Sequence, residues 1–128
     1  MIYPVSLDHL VFRVADVKLS EPFYTTLLGA PVSLAEGFAL YEVGATLLFF
    51  TTVTQPQSTP FDKDKIGLNH LAFAIPTLAE LETIATQLDA ANIQHSGIAI
   101  DPHGQKEYIW LNDPDGQRIE FYLRSQQG

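Results

Sequence analysis

Apolar and polar positions alternate along residues 6–14 (SLDHLVFRV), with Leu10, Phe12 and Val14 on one side and His9, Val11 and Arg13 on the other. A period of two over branched and aromatic residues predicts a strand. The period then lengthens. Leu19, Phe23 and Leu27 recur at helical spacing across 17–28, with Gly29 to stop the helix. Pro22 suits that helix only in its first turn, where a missing N–H costs nothing. Short strands follow at 31–34, 38–43 and 46–53, the last two joined by a tight turn at Gly44 and Ala45. Residues 54–66 (TQPQSTPFDKDKI) are polar, carry proline and have little to bury, which predicts a linker.

The plan then restarts. Residues 67–75 (GLNHLAFAI) form a second strand pattern, and 77–91 a second helix. That helix opens on a capping box of Thr77 and Glu80, with Leu81, Ile84, Ala85 and Leu88 on one face. Further strands are expected at 93–100, 107–111 and 117–123, and Asp113–Pro–Asp–Gly116 has the residues of the turn before the last. The halves align without a gap from first strand through helix at an offset of 61 residues (70 − 9), which pairs His9 with His70, Val14 with Ile75 and Leu27 with Leu88. Ten further residues of loop bring Leu48, Phe49 and Phe50 into line with Ile119, Glu120 and Phe121. Such a repeat implies two similar βαβββ units: a first unit at 1–53, the linker at 54–66 and a second unit at 67–128, together one α+β domain.

Alternation also sorts the chemistry. In the strands at 67–75 and 117–123, Leu71, Phe73 and Ile75, and Ile119, Phe121 and Leu123, form apolar faces that the helices must cover. The opposite faces carry His9, His70 and Glu120. If the sheet curls, two imidazoles and one carboxylate on rigid strands point into one cavity, a set suited to a first-row divalent metal with positions left open for water and substrate. Strand histidines serve equally as hydrogen-bonded structural groups, so spacing alone leaves both readings open.

Bulk properties narrow the classes. At 128 residues, 46% of them hydrophobic, the chain can bury roughly 65–70% of its extended surface without staples. It has no cysteine, which excludes disulfides, thiolate metal sites and a cysteine nucleophile. A formal charge of −8, from 7 basic and 15 acidic residues, argues against a nucleic-acid footprint. No window approaches the ~20 apolar residues of a membrane span, and no signal-peptide pattern opens the chain, so a cytoplasmic protein is expected.

The segments LDHLVFRVAD (7–16), FYTTLLGA (23–30), GLNHLAFAI (67–75) and NDPDGQRIEFY (112–122) resemble the vicinal oxygen chelate superfamily. That group holds glyoxalase I, extradiol ring-cleaving dioxygenases, fosfomycin-resistance proteins and bleomycin-binding proteins. The resemblance implies a curled, incomplete mixed β-barrel with helices outside and a homodimer. It also implies a metal held by the histidine of each first strand and the last-strand glutamate, here His9, His70 and Glu120. One divalent ion per site is implied, Fe(II) first, with Zn, Ni or Mn as alternatives, and a small-molecule substrate that chelates through oxygen.

One departure matters. Glyoxalase I-like members carry a second glutamate near the end of the first repeat, as fourth ligand and base, and here that position is Phe49. A three-ligand set resembles extradiol dioxygenases and fosfomycin-modifying enzymes instead, and ring-cleaving oxygenation is the leading expectation. Glyoxalase-like lyase chemistry, fosfomycin-type transfer and metal-free binding are the alternatives. Phe49 and Tyr122, joined by Tyr108 or Trp110, would line an aromatic cavity, although such rings serve as readily in a core. Arg13 is a further candidate substrate contact. Tyr122 is a candidate donor to a metal-bound oxygen, and His103, with His95 as a spare, a candidate acid–base group. A phosphonate would need several cations, and Arg13, Lys106 and Arg118 are the ones in reach.

Overall fold

A computed structural model of the chain describes residues 1–55 and 59–124. The expected linker therefore lies partly outside the described residues, at 56–58, as does the end of the second unit from 125. The chain divides into two compact units, Met1–Thr59 and Pro60–Gly128.

In the first unit β1 (His9–Val14) leads into α1 (Val17–Leu28), followed by β2 (Ser33–Ala35), β3 (Phe38–Val43) and β4 (Thr46–Thr52). The strands form one mixed sheet in the order β1-β4-β3-β2, with β1 and β4 parallel and the other neighbours antiparallel. The second unit repeats the plan as β5 (His70–Ile75), α2 (Leu78–Ala90), β6 (Ala99–Ile100), β7 (Glu107–Asn112) and β8 (Arg118–Leu123), in the order β5-β8-β7-β6. The α+β architecture of two βαβββ units is thus present, and neither sheet closes into a barrel.

Each helix covers the apolar face of its own sheet. In the first unit Phe50 stacks on Phe12 at 5.0 Å, lies 4.2 Å from Tyr24 and meets Tyr41 edge-on at 5.6 Å. The Tyr41 hydroxyl, almost fully buried, donates to the Glu21 carbonyl at 3.1 Å and shares a 2.8 Å bond with Thr25. Burial raises its pKa above the usual tyrosine value. In the second unit Leu81, Leu88, Ile109, Leu111, Ile119 and Phe121 form the core. Thr77 accepts from the Glu80 amide at 3.2 Å and donates its hydroxyl to the Glu80 carboxylate at 2.8 Å, so the capping residues are those expected. In the Asp113–Gly116 turn the Asp113 carboxylate accepts from the amides of Asp115 and Gln117, and Gly116 adopts φ 85°.

Three expectations need correction. The buried stripe of α1 is Val17, Ser20 and Tyr24, while Leu19 is 64% exposed. The helical period was correct, but the stripe is set by Tyr24, whose ring packs on Phe50, and by the small Ser20. Pro22 is the sixth helical residue, beyond the first turn, so α1 forgoes one backbone bond there. The strand expected at 93–100 shrinks to Ala99–Ile100. Gly97 at φ 70° breaks the extended run, and Ser96 serves β7 by accepting from the Trp110 amide on its hydroxyl and donating its own amide to the Trp110 carbonyl.

These positions separate in a stability measurement. Leu81→Ala, in the fully buried stripe of α2, should cost about 2–5 kcal/mol of unfolding free energy, whereas Leu19→Ala should stay within about 0.5 kcal/mol. Urea unfolding with an unchanged denaturant slope checks both, and a large loss at Leu19 would contradict the packing described.

Candidate metal centre and its pocket

Both strand histidines open their strands, and the residue just before each holds its ring. In the second unit the Asn69 side-chain amide donates to the Lys63 carbonyl at 2.9 Å, which turns its oxygen toward His70 Nδ1 at 2.8 Å. That oxygen can only accept, so His70 Nδ1 is the donor of the pair and Nε2 is the nitrogen turned toward the pocket. In the first unit the Asp8 carboxylate lies 2.7 Å from His9 Nδ1 and imposes the same tautomer. Asp8 and Asn69 are related by the repeat offset that relates the histidines, a signal that sequence reasoning passed over. Partners of this kind on the far ring nitrogen are characteristic of metal-ligating histidines.

Strand register brings the second unit's pair together. In β5 and β8, Ala72 lies beside Glu120 and His70 beside Arg118, so His70 reaches Glu120 along a diagonal. Their Nε2 and Oε1 atoms are 3.5 Å apart. One ion bonded at about 2.1 Å to each would span that separation. The Glu120 carboxylate is 7% exposed, and its other oxygen, Oε2, accepts from Arg118 Nε at 3.0 Å. An imidazole lone pair facing a carboxylate oxygen is a donor set that fits a divalent cation.

His9 belongs to the other unit, half-exposed, with its ring edge-on to Phe49 at 5.7 Å. Register places Phe49 beside Val11 as it places Glu120 beside Ala72, so the aligned positions of the two halves are structurally equivalent. An aromatic ring therefore stands where the repeat has its carboxylate. Arg13 lies on that same exposed face of β1. Among the described residues no group of three histidine, aspartate or glutamate side chains is gathered closely enough to hold an ion.

The His70–Glu120 pair lies in an open pocket of about 750 Å³ whose walls include Tyr108, Trp110, Tyr122, His103, Arg118 and Arg124. Three of the four rings expected around a substrate line it, and Tyr108 meets Tyr122 at 6.1 Å. The Arg118 guanidinium lies 4.7 Å over the Trp110 ring and that of Arg124 5.8 Å over Tyr122. Two of the chain's three arginines thus face one pocket of an acidic protein. Arg124 went unnoticed in the sequence because it stands at the end of the last strand, outside any motif.

Tyr122 does not offer a free hydroxyl. It donates to Asp101 Oδ2 at 3.0 Å, and the same carboxylate accepts from the amides of His103 at 3.1 Å and Gly104 at 3.0 Å. The 101–106 loop is thereby latched to β8, which places His103 at the pocket wall. The His103 amide, above all, holds the Asp101 carboxyl below its usual range, against a desolvation that raises it and with help from Tyr122 and Gly104. Desolvation, then the bond to Asp101 and its charge, push Tyr122 above the ordinary value of 10.0. His95, by contrast, is fixed structurally: Nδ1 accepts from the Gly97 amide at 3.0 Å and Nε2 donates to Asp89 at 2.7 Å.

Two βαβββ units, each with a histidine at the head of its first strand and a mixed four-stranded sheet, define the fold class of the chain. Residues 6–121 match the model of the Glyoxalase/Bleomycin resistance protein/Dioxygenase superfamily, and the chain belongs to that family. It is 27% identical over 126 residues to the uncharacterized protein YaeR of Escherichia coli, covering 91% of this chain and 94% of that one. It is 25% identical over 127 residues to the metallothiol transferase FosB of Lysinibacillus sphaericus, covering 95% and 84%. Among solved structures, a glyoxalase/bleomycin resistance protein/dioxygenase domain from Frankia superposes with a TM-score of 0.82 at 20% identity, covering 94% of this chain and 98% of that one. The lactoylglutathione lyase of Agrobacterium tumefaciens does so at 0.70 and 18%, covering 98% of each. No helix among the described residues is long and apolar enough to cross a membrane.

The latch makes a pH-dependent prediction. Asp101, with a lowered pKa, contributes fully above the ordinary carboxylate range, and its contribution is lost as pH falls through the lowered value. Tyr122, with a raised pKa, contributes fully below about 10, and its contribution is lost as pH rises through the raised value. The latch is therefore complete across the neutral range. In a 295 nm titration, Tyr122→Phe should remove one tyrosine that ionises above 10. Gly104→Ala should move that tyrosine back toward 10, because its Cβ would collide with the Tyr122 hydroxyl and stand 2.8 Å from Asp101 Oδ2. An unaltered titration in Gly104→Ala would contradict the latch.

Proposed function

We propose that the chain is a metal-dependent enzyme whose ion is held by His70 and Glu120 together with His9. The supporting observation is the 3.5 Å approach of His70 Nε2 to Glu120 Oε1, with Asn69 fixing the tautomer. His9, held by Asp8 in the same tautomer, is the third ligand, supplied by the same chain or by a second copy in a homodimer. Such an ion would supply Lewis-acid polarisation to a substrate oxygen. The surrounding residues bind and orient. Arg124, stacked over Tyr122, offers a guanidinium to an anion while Arg118 is paired with Glu120, and the rings of Tyr108 and Trp110 form one wall.

Within that class, transfer of a thiol to an anionic small molecule offering two oxygens is the preferred reading. The Arg124 guanidinium in the pocket and the likeness to metallothiol transferases support it. Extradiol ring cleavage on Fe(II) is the second reading, favoured by the aromatic wall. A glyoxalase-type reaction lacks its fourth ligand, because Phe49 can neither ligate nor take a proton.

Protein loaded in turn with Mn(II), Zn(II), Ni(II) and anaerobic Fe(II) should consume a small thiol in the presence of fosfomycin, or turn a catechol into yellow ring-opened product. His70→Ala and Glu120→Gln should each weaken ion binding beyond the ~10–100-fold typical of lost supporting contacts. Their mixture with His9→Ala should regain binding only if the site is shared between two chains. Wild-type protein that takes up no ion under any of these conditions would contradict the metal reading and favour a metal-free binding protein. Ion uptake without either turnover would remove both reactions and leave the ion site standing.

A further inference from the structure

The most specific contact of Glu120 is with a residue no motif assigns a role. Arg118 lies two residues before Glu120 on the same face of β8, so its side chain can run alongside the carboxylate. Nε donates to Oε2 at 3.0 Å, while Oε1 is the oxygen that faces His70. The two oxygens are thus divided between a cation of the protein and the imidazole. On the guanidinium's other side lies the Trp110 ring, 4.7 Å from its centre. Register explains the clamp. Trp110 is the direct antiparallel partner of Glu120 across β7 and β8, and Arg118 is the parallel neighbour of His70 across β5 and β8. The four side chains therefore occupy adjoining places on one face of one sheet, within one unit.

We propose that Arg118 is the positioning residue of Glu120, clamped by Trp110 so that the carboxylate offers a single oxygen, Oε1, to an ion beside His70. The role rests on the metal reading above. A charge-assisted bond to Oε2 fixes carboxylate rotation, and stacking on an indole fixes the guanidinium plane, a combination that lysine cannot reproduce. The ion and Arg118 use different oxygens, so they are compatible rather than competing.

Two measurements test this. In Co(II) titrations followed by visible absorption, Arg118→Met should bind about 10–100-fold more weakly than wild type, with Arg118→Lys between them. Trp110 is the only tryptophan of the chain, so its emission reports the clamp directly. Acrylamide should quench Trp110 more strongly in Arg118→Met and in metal-free Glu120→Gln than in wild type. In wild type, loading with Zn(II) should leave quenching unchanged, because Arg118 stays in place. Equal or tighter Co(II) binding by Arg118→Met overturns the role while leaving the metal reading intact. Increased quenching on Zn(II) loading also overturns it, because the guanidinium would then have been displaced. Failure of wild type to bind either ion removes the metal reading, and the positioning role with it.

Discussion

A strand pair joined by a crossover helix has two faces, and the helix can cover only one of them. In this chain the constraint operates twice. Phe12 and Val14 of β1, with Leu48 and Phe50 of β4, turn toward α1, and Ile119 and Phe121 of β8 turn toward α2. Every residue in between is directed to the other side of its sheet, which is how His9, His70 and Glu120 come to stand on faces the helices do not occupy. A one-residue slip in any of these strands would bury an imidazole or a carboxylate against apolar rings, at a desolvation cost the small core could not offset. Packing on one face thus fixes the chemistry on the other.

Orientation alone does not make a ligand. Each histidine also has the residue before it as a hydrogen-bond partner, Asp8 for His9 and Asn69 for His70, and so presents the same nitrogen. The almost fully buried Glu120 has Arg118 at one carboxylate oxygen and His70 at the other. The pocket around that pair is walled by aromatic rings, two of them capped by guanidinium groups. On a chain of net charge −8 the pocket brings Arg118 and Arg124 together with the Asp101 and Glu120 carboxylates, so its charges are mixed and locally balanced.

Much of this was legible in the sequence because period and repeat are local signals. The 61-residue offset correctly paired the first strands and helices, and the extra ten residues put Phe49 and Glu120 in equivalent register. What escaped depends on tertiary context. Leu19 looked like core and Tyr24 did not, because a tyrosine buried through its ring has the same letter as one exposed. Residues 93–98 read as strand, but Gly97 and the side chain of Ser96 redirect them. Tyr122 was expected to aim its hydroxyl at the metal, whereas it is committed to Asp101, a loop residue 21 positions away that no spacing rule connects to it. Arg118 was noticed as a cation but not as the partner of Glu120.

The central claim is that His9, His70 and Glu120 ligate one ion. X-ray absorption at the edge of a bound first-row metal tests it most directly, because imidazole rings give a multiple-scattering signature that carboxylates and water lack. The account predicts two imidazoles and a single carboxylate oxygen at about 2.1 Å, completed by water. A shell of oxygens alone would contradict it, with the histidines left as structural groups of their strands.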